Sequence, residues 1–262
     1  MIIAWVTPLL LGWVAGWFVN YLSDILPITR KLSQPVCLHC SAPFTLKDYL
    51  LFQRCPNGHL RTARVWIVQI AMMAFSVYIY TQPPLKLGYW AGLILLTYFG
   101  VVFAIDMEHR LILHPTSIVG SLLALILGTV SHGLVPTLLG GLGGLLIMLV
   151  FYYFGVLFAR MRARRMQAQG MEVDDEESLG QGDVILVTIL GFLVGWPLVW
   201  FMIVVSTLLG GIVSLLLIVS LMITRRYNAN ALMVFIPFGP YFIMGAALIV
   251  YFPNALKALL PG

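Results

Sequence analysis

Hydrophobic residues in this chain run in stretches of about twenty separated by short polar segments, without the two-residue alternation of half-buried strands. A hydrocarbon core about 30 Å thick takes about 20 helical residues to cross. That yardstick predicts spans near Ile2–Leu22, Arg64–Tyr80, Leu87–Ile105, Thr116–Ser131, Val135–Ala159, Asp183–Val194, Pro197–Ile223 and Ala231–Tyr251, the sixth of them short. In lipid the backbone must satisfy its own hydrogen bonds, and Leu/Ile/Val runs lacking period-two alternation favour helices over a barrel. The expected fold class is therefore all-α, a polytopic membrane helix bundle of about eight transmembrane helices. The first span lacks a basic leading region and outruns a typical export-signal core, so it is expected to be a retained helix. Three parts follow: a first transmembrane helix at 1–22, a cytoplasmic loop at 23–63, and a membrane-embedded domain at 64–262 with a cytoplasmic loop at 160–182.

Composition sharpens this picture. Hydrophobic residues make up 61% of the 262 and charged residues only 10%, with a mean hydropathy of +0.98, well beyond a soluble domain. The basic residues are unevenly placed. With the N-terminus outside, one side receives Arg30, Lys31, Lys47, Arg54, Arg61, Arg64, Arg110, Arg160, Arg162, Arg164, Arg165, Arg225 and Arg226, and the other only Lys86 and Lys257. Positive loops stay cytoplasmic, so both termini are expected to be extracytoplasmic. The net charge of +5 then reflects topology and attraction to anionic membrane lipid, and no nucleic-acid partner is read from it.

The loop at 23–63 holds all three cysteines, as CLHC (Cys37, Cys40) and CPNGH (Cys55, His59). Cys-x2-Cys, fourteen intervening residues, then Cys-x3-His is the spacing of a structural tetrahedral zinc site built from two knuckles. Pro56 and Gly58 assist the second turn, and a cytoplasmic placement argues against disulfides. Such a site organises a small loop with little apolar core of its own, so Cys37, Cys40, Cys55 and His59 are the candidate ligands. His39, inside the first knuckle, is a competing ligand, and unligated reduced cysteines are the plain alternative.

Against so apolar a background, two aspartates at the ends of hydrophobic segments stand out: Asp106 in FAIDMEHR and Asp183 in GQGDVILV. The charge count places both at cytoplasmic helix ends. Two carboxylates meeting at one membrane depth share a proton and titrate as a unit. One can then activate water while the other protonates a carbonyl oxygen, as in aspartic proteases. Gly180 and Gly182 allow close approach of a substrate backbone. Taken singly, Asp183 reads equally well as an N-cap and Asp106 as a helix exit from the membrane.

The combination resembles the type IV prepilin peptidases. AIDMEHRLILHP looks like their first aspartate motif and GQGDVILVTILGFLVGW like their second, whose GxGD element is shared with presenilin-class intramembrane proteases. The helix ending in GWFVNYL, the cysteine-bearing loop and the terminal IPFGPYFIMGA segment follow in the same order. The resemblance implies cleavage of prepilin or pseudopilin leaders at the cytoplasmic face of a bacterial inner membrane, with Asp106 and Asp183 catalytic and Gly180 and Gly182 supporting. It also implies N-methylation of the new terminus with S-adenosylmethionine. The family's loop carries two Cys-x2-Cys pairs, whereas here Gly58 stands three after Cys55 and His59 is the fourth ligand. That loop is tied to methylation, so peptidase activity is the expectation carried further.

Other readings remain beside it. A proton-coupled transporter also uses intramembrane carboxylates, but at the midplane and in helices broken in matched halves. A presenilin-like protease shares GxGD without cysteine knuckles. The GGLGG at Gly140–Gly144 predicts close helix packing. Pro237 and Pro240 predict a kinked or broken last span, His114–Pro115 a helix start, and the acidic run 172–177 a solvated loop attracting a basic leader.

Overall fold

The computed structural model describes residues 2–37, 40–168, 180–223 and 237–254. Helices dominate them, in the order α1 (Ile2–Thr29), α2 (Leu46–Leu50), α3 (Ala63–Thr81), α4 (Gly88–His109), α5 (His114–His132), α6 (Leu134–Ala168), α7 (Gln181–Val194), α8 (Leu198–Ile223) and α9 (Gly239–Tyr251). Six of these are long and apolar enough to cross a membrane: α1, α3, α4, α5, α6 and α8. The other two apolar helices are shorter, 14 residues for α7 and 13 for α9. The chain is thus an all-helical, multi-pass membrane protein.

Several helices outrun the spans drawn from hydropathy. Helix α1 continues past Leu22 to Thr29, and α6 past Ala159 to Ala168. Hydropathy marks where lipid contact ends, while a helix continues until its backbone finds another partner. Of the last predicted span, residues 231–236 lie outside the described residues; Pro237 and Phe238 are not helical, and α9 begins at Gly239. Pro240 occupies its first turn, where a missing N–H costs no intrahelical bond, so over the described residues the predicted interruption falls at Pro237 and Phe238, just before α9. His114 and Pro115 open α5 as expected.

The chain divides into two compact units, Met1–Gly120 with Val250–Gly262, and Ser121–Ile249. In the first, α1, α3 and α4 pack on one another around Ala15, Val19, Met72, Val101 and Ile105. Helices α1 and α3 approach until a Cβ on Gly12 would lie 2.7 Å from Met73 Cα. Buried polar side chains tie the pair to opposing carbonyls: Asn20 Nδ2 donates to Val65 O (3.1 Å), Gln69 Nε2 to Trp13 O (2.7 Å) and Ser76 Oγ to Pro8 O (2.7 Å). In an apolar medium, where hydrophobicity supplies little drive between helices, small residues and such bonds hold the contact.

In the second unit α6, α7 and α8 pack together. Helix α7 is apolar on nearly every side, and Val184, Leu186, Val187, Ile189, Leu190, Leu193 and Val194 are all buried. A helix hydrophobic all round is a core helix, which accounts for a short element of such uniform composition. The GGLGG run packs closely, as its composition predicts: a Cβ on Gly140 would stand 2.3 Å from Gly191 O, and one on Gly144 2.9 Å from Val187 O. Gly195 ends α7 at φ +73, with His132 so close that a Cβ would lie 2.6 Å from its ring.

Candidate active site and metal cluster

The loop between α1 and α3 folds from local signals. Phe44 N donates to Pro35 O (2.9 Å) and Cys37 N to Ala42 O (2.9 Å), closing a small hairpin, and Ser41 N returns to Cys37 O (2.8 Å). Thr45 caps α2: its Oγ1 accepts from Asp48 N (3.2 Å) and donates to Asp48 Oδ2 (2.6 Å). The second turn closes through Gly58 N to Cys55 O (2.8 Å), with Gly58 at φ +83, a left-handed conformation that favours glycine.

These turns bring one atom each of Cys37, Cys40, Cys55 and His59 within 4.8 Å of one another. Cys40 Sγ lies 3.7 Å from Cys55 Sγ, and Cys55 Sγ lies 3.3 Å from His59 Nδ1. Zinc–sulfur bonds of about 2.3 Å in a tetrahedron set sulfurs about 3.8 Å apart, so the spacing fits. The predicted four come together, and the cluster can hold a metal such as zinc. His39 lies outside the described residues. A backbone bond at Ala42 brings the Cys40 thiol down to about 6, while burial pushes Cys55 up. A metal ion would draw both toward thiolate.

The loop rests on an aromatic patch, with Tyr49 of α2 packed against Trp17, Tyr21 and Phe44. Tyr49 donates its hydroxyl to Asp24 Oδ2 at 2.5 Å. Burial, with the Asp24 carboxylate beside it, pushes this phenol up, so it remains a donor. Arg64 reaches both Asp24 and Glu108. Sequence reasoning did not assign Asp24 or Tyr49, although Asp24 is the one charged residue of the first helix, a signal of the kind that marked Asp106.

Asp106 sits in the last turn of α4, in the first unit, and is only 5% exposed. Its carbonyl accepts from Arg110 N (2.9 Å), which ends the helix in the left-handed region at φ 54. A buried carboxylate in a membrane protein is expensive and is read as functional by default. His109, next but two in sequence, is exposed.

Asp183 lies in the second unit, half-buried in the first turn of α7. The N-cap is Gly180, and Asp183 N donates to its carbonyl (3.1 Å), so the aspartate is the third helical residue and not the cap. Gly180 has an ordinary extended backbone, φ −76 and ψ 145. A Cβ there would meet Asp183 Oδ2 at 3.9 Å, so any larger side chain at this position grows beside the carboxylate. Gly182 follows within the same turn. The acidic run 172–177 lies outside the described residues.

A multi-pass helical membrane protein with acids at two helix ends and a Cys3His cluster in a loop is the class that these features define. Within it, residues 93–215 match the model of the type IV leader peptidase family. The matched stretch runs from α4 into α8 and holds both aspartates and both glycines. The resemblance to the type IV prepilin peptidases is borne out over that stretch, and the match supports a protease of the type IV leader peptidase kind. The Cys/His loop lies before it. No curated protein and no solved structure matches the chain.

Proposed function

We propose that this protein is a membrane aspartic endopeptidase that removes the leader peptides of type IV prepilins or pseudopilins. The observation that carries the reading is the family match over 93–215, which includes Asp106 and Asp183 in their two motifs. Asp106 and Asp183 share one proton: the ionised partner takes a proton from water as it attacks the scissile carbonyl, and the protonated partner donates to the carbonyl oxygen. Gly180 and Gly182 leave room for the substrate backbone beside Asp183. The thirteen-to-two split of basic residues supports a cytoplasmic position for the active centre in a bacterial inner membrane, with both termini outside and anionic lipid around the basic loops. A precursor whose basic leader remains inside then presents its cleavage site at that level.

Cys37, Cys40, Cys55 and His59 hold a structural zinc that fixes the loop against α1. Protein purified without chelators is expected to carry about one zinc per chain, and Cys37→Ser to lose it while retaining part of the cleavage activity, both read by metal analysis beside the activity assay. Zinc-free wild type of normal stability would remove this part of the reading.

The test of the whole is incubation of membranes with a prepilin-like precursor, with and without S-adenosylmethionine, followed by mass spectrometry of the mature end. A product beginning just after the leader glycine supports the peptidase, and one added methyl group would extend the reading to N-methylation. An uncut precursor sinks the assignment and turns attention to proton-coupled flux.

A further inference from the structure

We propose that Arg64 is a positioning residue for Asp106, clamping the last turn of α4 to the Cys/His loop. This rests on the peptidase reading above and adds a residue to its machinery. Arg64 stands in the first turn of α3. Its Nε lies 3.0 Å from Glu108 Oε1, and its Nη2 pairs with Asp24 Oδ1. Glu108 follows Asp106 by two residues, in the final turn of α4.

The end of a helix needs such a hold. Its last carbonyls have no intrahelical donors, and it frays unless another group fixes it. Past Arg110 the chain leaves the helix for a few residues before α5, so nothing helical carries α4 onward. The Glu108 pair supplies a lateral anchor one turn or less from the proposed catalytic carboxylate.

The other side of the clamp is firm. Asp24 accepts from Arg64 through one oxygen and from Tyr49 through the other. The Tyr49 ring also carries the Arg61 guanidinium 3.8 Å from its centre and shares a core with Cys37 and Cys55. The chain of contacts therefore runs from the metal-ligating cluster through Tyr49, Asp24 and Arg64 to Glu108. Arginine suits the middle link because its charge is spread over a planar group: Nη2 donates to Asp24 while Nε faces Glu108 as an ion pair, where lysine offers a point charge. Side-chain exposures of 14% for Arg64 and 10% for Asp24 mean little screening by solvent.

The test compares Arg64→Gln, Arg64→Lys, Glu108→Gln and the Arg64→Gln/Glu108→Gln double variant. Readouts are kcat and KM for precursor cleavage, thermal midpoint, metal content, and amide exchange across residues 104–110. Arg64→Gln is expected to lower kcat about tenfold or more and leave KM within about twofold, the mark of a group misplaced for the chemical step. Faster exchange at 104–110 accompanies it, and Arg64→Lys recovers part of kcat. Glu108→Gln, near the surface and safe for folding, shows the same change in weaker form, and the double variant is no slower than Arg64→Gln alone. Wild-type kcat with unchanged exchange in both single variants overturns the inference. So does a loss of kcat that only follows falling thermal midpoint and metal content. A wild type that cuts nothing overturns the peptidase reading itself, which no behaviour of these variants can do.

Discussion

Asparagine at either Asp106 or Asp183 is expected to lower leader cleavage by about 10²- to 10⁴-fold, the range lost when a positioned acid or base is removed. The amide keeps the volume and much of the hydrogen bonding of the carboxyl group, so membrane insertion and expression should match wild type. Each site is called on to move a proton, which an amide cannot do at working pH. The double variant should be little worse than either single one, because groups that act as a unit lose their effect together. Cleavage measured in membranes with matched protein levels decides the point. Normal cutting by either asparagine variant would end the dyad proposal, and strictly multiplicative losses would argue that the two carboxylates act independently. Gly180→Leu offers a gentler probe of the same centre: its branch grows from a Cβ 3.9 Å from Asp183 Oδ2, so it should impede substrate more than folding and raise KM.

Much of the fold was legible because a membrane leaves few options. Uninterrupted apolar runs of about twenty residues can only be spanning helices or core helices, and each predicted segment holds a helix over most of its described residues. Length alone separated the two kinds. The short sixth segment became α7, buried along nearly its whole length, which hydropathy cannot distinguish from lipid contact. The prolines of the last segment were visible, but their effect depended on where the helix starts, and α9 begins at Gly239, which sets Pro240 in its first turn. The Cys/His cluster was legible from spacing because two tight turns set four ligands almost locally. The Asp24–Arg64–Glu108 network was not, since its members come from three helices separated by 40 residues and more. Only the standing of Asp24 as the one charged residue of α1 hinted at it.

The second large effect is expected at the glycine contact between α6 and α7. Gly140→Val should destabilise the protein by about 3 kcal/mol or more, at or beyond the usual range for overpacking. A Cβ on Gly140 would stand 2.3 Å from Gly191 O and 2.6 Å from Gly195 Cα, and one on Gly191 would stand 2.4 Å from Gly140 O. The obstacle on both sides is backbone, which cannot rotate aside as a side chain can, so the two helices must separate. Separation forfeits close-packed contacts along the whole pair, because interiors have no slack to absorb the shift. Asp183 rides on the same helix, eight residues before Gly191, or about 12 Å along its axis, so a displaced α7 carries the carboxylate with it. Cleavage should therefore fall together with the thermal midpoint in detergent. Gly211→Ala is the control: a Cβ on Gly211 of α8 would meet nothing within 4 Å, and alanine favours a helix over glycine by about 1 kcal/mol, so stability should hold or rise slightly. Equal behaviour of Gly140→Val and Gly211→Ala would mean that α6 and α7 do not meet through their backbones, and the close contact that sets the position of Asp183 would have to be abandoned.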